Sequence, residues 1–317
     1  MKAPFPYFGG KVAVAKTVWE LLGQPKHYIE PFCGSCAVLL ARPDYDQAKQ
    51  IETVNDADGH IVNVWRSLKY SPDAVAEWAD WPVHHAELSA RKRRIIESDS
   101  RLLENLVKDD EWHDPKMAGY YVYAASCWIG SGLTSLNQIP HIGHAGRGVH
   151  GIGKVPHITN DGSGVQNRSS NIYEWFSELS ARLRRVRVVN GDWKQVCGGN
   201  WQDNCGICGI FFDPPYGHGI GKRKEDIYHH DSTSISAEVR AWCMERGKKN
   251  SYRIILAGYE GEHNELEKHG WGKIEWKVKG GFANLKRKAG SAAQGKDNAK
   301  LERLWYSPAC RREDELI

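Results

Sequence analysis

The sequence predicts an α/β protein in which strands and helices alternate along the chain to build a sheet. Residues 27–30 read as a short strand that ends in an acid, and a glycine-containing turn and a helix over 36–41 follow it. Residues 51–55 repeat the pattern with a second strand that ends in acids. An apolar strand at 207–212 shows the pattern again. The other predicted elements are helices over 12–22, 59–68 and 172–184 and strands at 186–189, 252–257 and 304–306.

The middle of the chain, residues 71–169, changes character and predicts an inserted domain. It contains a charged helix over 89–107, an apolar and aromatic stretch at 120–128, and a loop of about 35 residues rich in Gly and His. Loops of that length are usually functional or disordered. We therefore expect residues 1–70 and 170–317 to form one α/β domain that carries residues 71–169 as an insertion.

Composition indicates an ordinary globular protein. Of the 317 residues, 41% are hydrophobic and 26% are charged, which argues against a disordered chain, a collagen or a coiled coil. The formal charge of +4 permits a nucleic-acid partner without requiring one. The sequence contains no run of about 18 apolar residues, so it predicts no membrane span. The chain opens without a secretory type of apolar segment, and its eight cysteines suggest reduced thiols, so we expect a cytoplasmic protein.

The strongest chemical signal is the motif Asp213-Pro214-Pro215-Tyr216, which directly follows an apolar strand. Ligands of open α/β sheets bind just beyond the carboxyl ends of the strands, so the motif lies where chemistry is expected. The Asp213 carboxylate and the Pro214 carbonyl are acceptors that could hold the two hydrogens of a planar amino group, and Tyr216 offers a face for a flat ring. A rigid turn at the end of a strand is the weaker alternative.

A second signal is the segment Glu30-Pro31-Phe32-Cys33-Gly34-Ser35-Cys36, a strand end, an acid and a turn that opens a helix. This geometry suits a nucleoside-bearing cofactor that lies across the strand ends. Asp56 and Asp58 follow the next strand, about 20 residues further on, where an acid can bind ribose hydroxyls. Capping of a helix N-terminus is an equally good interpretation for either residue taken singly.

Two shorter segments add candidate ligand contacts. Asp192 ends a third strand, and its carboxylate could accept from an adenine amino group, while the neighbouring Trp193 could cover that ring or belong to the core. Near the start of the chain, Tyr7-Phe8-Gly9-Gly10-Lys11 precedes the first helix, where two glycines let the backbone approach a ligand. A flexible N-terminus would not explain an aromatic pair beside Gly-Gly-Lys.

Taken in order, these segments resemble the Dam-like, D12 class family of DNA adenine-N6 methyltransferases. The resemblance extends from about residue 5 to 306 and includes Glu302-Arg303-Leu304-Trp305. It implies a Rossmann-like fold dependent on S-adenosylmethionine, with a helical and loop-rich target-recognition insertion. It also implies methylation of an adenine flipped out of double-stranded DNA, in a bacterial or phage-infected cell. The expected catalytic residues are Asp213, Pro214, Pro215 and Tyr216, and the expected cofactor-binding residues are Tyr7, Phe8, Gly9, Lys11, Glu30, Phe32, Cys33, Gly34, Asp56, Asp192, Trp193 and Asp213.

DNA contacts are expected from the insertion and from loops around the sheet. The candidates are Arg147 and His150 in the long loop, and Lys222, Arg223 and Lys224 soon after the Asp-Pro-Pro-Tyr motif. Such side chains neutralise phosphates, although a solvated charged face is the alternative for any one cluster.

Three further alternatives remain open on the sequence. The family often has Gly where this chain has Cys36, and a larger side chain there narrows the space near the cofactor. The chain could therefore be an inactive DNA-binding relative. As a separate alternative, it could methylate another amino group, for example in RNA. Cys197, Cys205 and Cys208 could hold zinc only with a fourth ligand, and none has clear spacing, so no metal site is predicted.

Overall fold

The structure is a computed structural model. It describes residues 1–7, 11–81, 84–109, 111–127, 133, 171–215, 233–276 and 302–310. The helices and strands within these ranges are, in chain order, α1 (Ala15–Leu22), β1 (His27–Glu30), α2 (Ala37–Leu40), β2 (Ile51–Asp56), α3 (Gly59–Tyr70), α4 (Pro72–Ala79), α5 (His85–Lys108), α6 (Pro115–Cys127), α7 (Ile172–Leu183), β3 (Val186–Asn190), α8 (Lys194–Cys197), β4 (Cys208–Phe212), α9 (Thr233–Arg246), β5 (Tyr252–Tyr259), β6 (Gly272–Glu275) and β7 (Glu302–Tyr306).

The chain divides into two compact units. The first unit comprises residues 1–10 and 56–192, and the second comprises residues 11–55 and 193–317. The predicted limits of the inserted domain, residues 71–169, stay a prediction.

The second unit contains most of the sheet, in the strand order β2-β1-β4-β5-β7-β6. The pairs β1–β2, β1–β4 and β4–β5 are parallel, whereas β7 runs antiparallel to both β5 and β6. Every residue of β1 and β4 is buried, as expected for parallel strands covered on both faces. This mostly parallel sheet with its helices confirms the predicted α/β, Rossmann-like fold.

The strand directions decide which residues share an edge of that sheet. The parallel strands β1 and β4 end at one edge, and Asp213 follows the last residue of β4 there. Because β7 is antiparallel to β5, its first residue, Glu302, pairs with Tyr259, the last residue of β5. The start of β7 therefore lies at the same edge as the carboxyl ends of the parallel strands.

The first unit is built mainly of helices around α6. This helix packs on α3, α4 and α5, and nine of its thirteen residues are buried, which explains the aromatic stretch seen in the sequence. Val62 of α3 forms a small core with Leu102 and Leu106 of α5. None of the described helices is long and apolar enough to span a membrane.

Several elements were not predicted from the sequence. The helices α4, α8 and α9 and the strand β6 were missed, and the first helix begins at Ala15 rather than at residue 12. Helix α4 starts with Pro72 in its first turn, a position where proline is well tolerated because the missing N–H has no intrahelical partner. Strand β6 has only one buried residue, Ile274, so it lacks a clear apolar alternation.

Candidate active site

Asp213 lies directly after β4, at the carboxyl end of a wholly buried strand. Its carboxylate Oδ2 is 2.9 Å from Nζ of Lys11, and the side chain of Asp213 keeps 22% of its exposure whereas that of Lys11 keeps only 5%. Pro214 is buried beside it. The ion pair therefore holds a sheltered ammonium against a carboxylate that is still open to a ligand.

Lys11 has a second carboxylate near it. Its Nζ lies 3.8 Å from Oε2 of Glu302, the first residue of β7, and 6.0 Å from the centroid of the Trp276 ring. The Glu302 side chain is 13% exposed. Three charged groups from distant parts of the chain thus meet at the edge of the sheet.

Glu30, the last residue of β1, is buried. Its Oε2 accepts hydrogen bonds from the Tyr28 hydroxyl at 3.0 Å and from the Leu39 N–H at 3.1 Å. Burial raises the pKa of Glu30 from its usual value of 4.5 to about 8, the charge of Asp213 adds to the rise, and the two hydrogen bonds oppose it. Glu30 is therefore a neutral acid at pH 7 that links the end of β1 to the helix α2.

The turn after β1 is fixed by backbone and side-chain hydrogen bonds. The Cys33 N–H donates to the carbonyl of Asn55 at 2.9 Å, and the Asn55 side chain donates back to the carbonyl of Pro31 at 3.0 Å. Gly34 has a φ of 45° and Cys36 a φ of 50°, both in the left-handed region. The result is a tight turn in which Phe32 is half-buried and Cys33 is buried.

Trp193 is a core residue of the second unit. It is 4% exposed and packs edge-on against Phe212 and Trp242, with ring centroids 5.9 Å and 6.3 Å away. Its indole Nε1 is buried and has no hydrogen-bond partner within the described part of the chain. Half-buried Phe32 reaches the same cluster through Phe212, at 6.4 Å.

Asp56, the last residue of β2, and Asp58, two residues later, belong to the first unit. Asp58 caps α3, because its Oδ1 accepts the His60 N–H at 2.8 Å, and Asp56 Oδ1 in turn accepts the Asp58 N–H at 3.0 Å. The capping interpretation is thus confirmed for Asp58, whereas Asp56 remains half-buried at the end of β2. The Asn190 side chain donates to the Asp56 carbonyl, and Asp192 is exposed after β3.

Tyr7 is half-buried in the first unit, where its ring lies 6.3 Å from that of Phe5. Several predicted site residues lie outside the described residues: Phe8, Gly9, Arg147, His150, Tyr216, Lys222, Arg223 and Lys224. All eight cysteines carry free thiols. Across the described ranges, no group of three or more His, Cys, Asp or Glu side chains could hold a metal ion.

Sequence reasoning did not include Tyr28 or Glu302 among the site residues. Tyr28 could have been found, because it lies two residues before Glu30 and residues so spaced share one face of a strand. Glu302 carries a weaker signal, an acid at the start of the apolar strand Leu304-Trp305-Tyr306. Its importance depends on the direction of β7, which local sequence does not reveal.

The mostly parallel seven-stranded sheet with its helices is consistent with the fold of a Rossmann-like methyltransferase. Residues 7–138 match the model of the D12 class N6 adenine-specific DNA methyltransferase family, which confirms the resemblance inferred from the motifs. Over this segment the chain is similar to D12 class domains, and the activity that this family implies is transfer of a methyl group to N6 of an adenine in DNA. The match contains Lys11, the turn after β1 and Asp56, and it ends before Asp213. No curated protein sequence matches the chain.

Proposed function

We propose that this chain methylates N6 of an adenine flipped out of double-stranded DNA, with Asp213-Pro214-Pro215-Tyr216 as its catalytic motif. The observation that carries the proposal is the position of Asp213, directly beyond β4 and 2.9 Å from the sheltered ammonium of Lys11. An anchored, partly exposed carboxylate at a strand end is suited to accept hydrogen bonds from a bound amino group.

The chain's own groups orient the amine. The adenine amino group is a poor nucleophile, because its lone pair is delocalised into the ring. The Asp213 carboxylate and the Pro214 carbonyl accept hydrogen bonds from the two N–H groups of the amine. These bonds favour the tetrahedral nitrogen of the transition state. Pro215 restricts the backbone, and Tyr216 stacks on the base, a contact worth about 1–3 kcal/mol. No general base with a shifted pKa is required before the attack.

The side chains at the strand ends fit S-adenosylmethionine as the cofactor. This cofactor supplies an already activated methyl group on its sulfonium. A nucleoside ligand can use two features of the site. The buried Nε1 of Trp193 has no hydrogen-bond partner within the described residues, and Gly34 places no side chain in the turn after β1. We assign Asp56 to the ribose hydroxyls, Asp192 to the adenine amino group and Lys11 to the charged end. The other cofactor contacts proposed are Tyr7, Phe8, Gly9, Glu30, Phe32, Cys33, Gly34, Trp193 and Asp213.

DNA binding is assigned to basic side chains in the long Gly- and His-rich segment and in the segment that follows Asp-Pro-Pro-Tyr. Arg147, His150, Lys222, Arg223 and Lys224 would contact phosphates, which makes binding dependent on salt. Flipping the base costs a few kcal/mol, which these contacts help to offset. Residues 71–169 are proposed as the target-recognition domain, and the cytoplasm of a bacterial or phage-infected cell as the place of action.

The test uses labelled S-adenosylmethionine with the full-length protein and duplex DNA. Asp213→Asn preserves the shape of the side chain but removes its charge, and we expect kcat to fall by roughly 10²-fold or more. The matched control is Asp44→Asn, an exposed acid in the same unit, which should leave the rate unchanged. Label that enters RNA alone, or an Asp213→Asn protein with the normal rate, would overturn the proposal.

A further inference from the structure

The geometry points to Glu302 as a positioning residue for the methyl transfer. We infer that it holds the Lys11 ammonium in place beside Asp213 and thereby orients the Asp213 carboxylate toward the adenine amino group. This inference rests on the proposed function, because it assigns Glu302 a part in the reaction for which Asp213 is the proposed catalytic acceptor.

The strand directions bring the three groups together. Lys11 precedes α1, Asp213 follows β4, and Glu302 opens β7, which is antiparallel to β5. Only an antiparallel last strand can present its first residue at the edge where the parallel strands end. Successive residues of a strand point to opposite faces, so Arg303 lies on the other face from Glu302 and pairs there with Glu260 and Glu275.

The distances from Lys11 Nζ indicate different roles for the carboxylates of Asp213 and Glu302. Lys11 Nζ is within hydrogen-bond distance of Asp213, at 2.9 Å, and lies farther from Glu302, at 3.8 Å. Glu302 therefore acts on the ammonium through its charge. Asp213 is also the more exposed carboxylate, with 22% of its side chain accessible against 13% for Glu302. The accessible acid is the one that can meet a substrate, and the sheltered acid is the one that can hold the cation.

A lysine needs such a second anchor. Its ammonium is a point charge with three donors at the end of a flexible four-carbon stem, so one carboxylate alone does not determine its position. With Glu302 present, two carboxylates attract the ammonium, and Lys11 Nζ also lies over the Trp276 ring, 6.0 Å from its centroid. A fixed ammonium in turn fixes the Asp213 oxygen to which it binds.

The test is a kinetic double-mutant cycle on the full-length protein with duplex DNA and S-adenosylmethionine. Glu302→Gln keeps the shape and removes the charge, and we expect kcat to fall about tenfold while KM for DNA and for the cofactor change less than about twofold. Glu302→Asp keeps the charge on a shorter stem and should recover part of that loss. In a Lys11→Met background, Glu302→Gln should cost no further activity, because Glu302 acts through Lys11.

The control is Glu275→Gln, an exposed acid of β6 on the Arg303 side, which should leave kcat unchanged. A Glu302→Gln protein with normal kcat overturns the inference. So does an equal loss with and without Lys11, or a Glu302→Asp protein no more active than Glu302→Gln, since each shows that the charge does not act through Lys11. A wild-type protein that transfers no methyl group to DNA adenine instead overturns the proposed function, and the inference with it.

Discussion

The hydroxyl of Tyr28 donates a 3.0 Å hydrogen bond to Glu30 Oε2, from two residues away on the same face of β1. Both residues are buried, so a phenol and a carboxyl form a local pair at the strand end where the turn begins. Burial raises the pKa of both groups, that of Tyr28 well above its usual value. A neutral acid thus joins β1 to α2, the two elements on either side of the turn that we assign to the cofactor.

The first prediction concerns Glu30→Gln and pH. The unfolded chain ionises Glu30 near its usual pKa of 4.5, whereas the folded protein retains the proton up to a pKa of about 8. The contribution of Glu30 to stability is therefore complete below pH 4.5 and declines as the pH rises to 8. Glu30→Gln still offers a carbonyl oxygen to Tyr28 and Leu39 without that decline.

We therefore expect Glu30→Gln to be more stable than the wild type at pH 8, by roughly 2–4 kcal/mol, and to show little advantage at pH 4.5. Urea unfolding at both pH values measures the difference. Glu20→Gln, on the surface of α1, is the control and should change stability equally little at both. An advantage for Glu30→Gln that does not grow with pH would show that Glu30 is ionised in the folded protein.

The second prediction concerns Cys36, whose φ of 50° is strained for a residue with a side chain. Cys36→Ala and Cys36→Gly both remove the buried sulfur, but only glycine removes the strain. We expect Cys36→Gly to be more stable than Cys36→Ala by about 1 kcal/mol in urea unfolding.

The neighbouring position gives the matched control. Ala37 begins α2 and adopts ordinary helical backbone angles, so Ala37→Gly should destabilise the protein by about 0.5–1 kcal/mol. If alanine proves the better residue at position 36 as well, the left-handed conformation of Cys36 is wrong.

The third prediction concerns the ion pair of Arg42 and Glu52, whose side chains are both fully buried. Arg42 Nη1 lies 3.1 Å from Glu52 Oε1, and Nη2 donates to the Pro25 carbonyl at 2.7 Å. Arg42→Met leaves a buried carboxylate without its cation and should cost about 3–5 kcal/mol of unfolding free energy.

Replacing both partners should cost less than removing the arginine alone. In Arg42→Met combined with Glu52→Gln, no buried charge is left uncompensated, and we expect at least half of the loss to be recovered. Urea unfolding of the two single variants and the double variant measures this coupling. Additive losses would mean that the two charges do not interact in the folded protein.

The fourth prediction concerns acid stability. His263 is fully buried, with its ring 5.0 Å from that of Trp305, and burial lowers its pKa from 6.5 to about 4. The unfolded chain takes up a proton on this histidine below pH 6.5, whereas the folded protein does not until about pH 4. Its contribution to stability is therefore complete above pH 6.5 and is lost as the pH falls toward 4.

His263→Phe removes the titrating group and keeps an aromatic ring against Trp305. We expect the Tm of the wild type to drop more steeply between pH 6.5 and 4.5 than that of His263→Phe, as measured by thermal unfolding followed by circular dichroism. His269→Phe, at the end of the exposed helical turn Asn264–His269, is the control and should retain the wild-type slope. Parallel curves for wild type and His263→Phe would contradict the prediction.

Most strands of the sheet and the turn after β1 were predicted from the sequence because their signals are local. The apolar residues before Glu30 and Asp213 mark buried strands, and the acid at the end of each marks the edge at which open α/β sheets generally bind ligands. The limits were off by only a few residues. The short edge strand β6 was missed because a strand held mainly by its neighbour needs little apolar pattern of its own.

The sequence alone determined the alternation of strands and helices, the adenine methyltransferase motifs and the position of Asp213 after a buried strand, because each depends on residues close together in the chain. The tertiary structure alone decided that Lys11 and Glu302 meet at Asp213 and that Glu30 is kept neutral by burial at the end of β1. Those contacts join positions up to about 290 residues apart. They depend on strand order, on the antiparallel course of β7 and on burial, which no local pattern specifies.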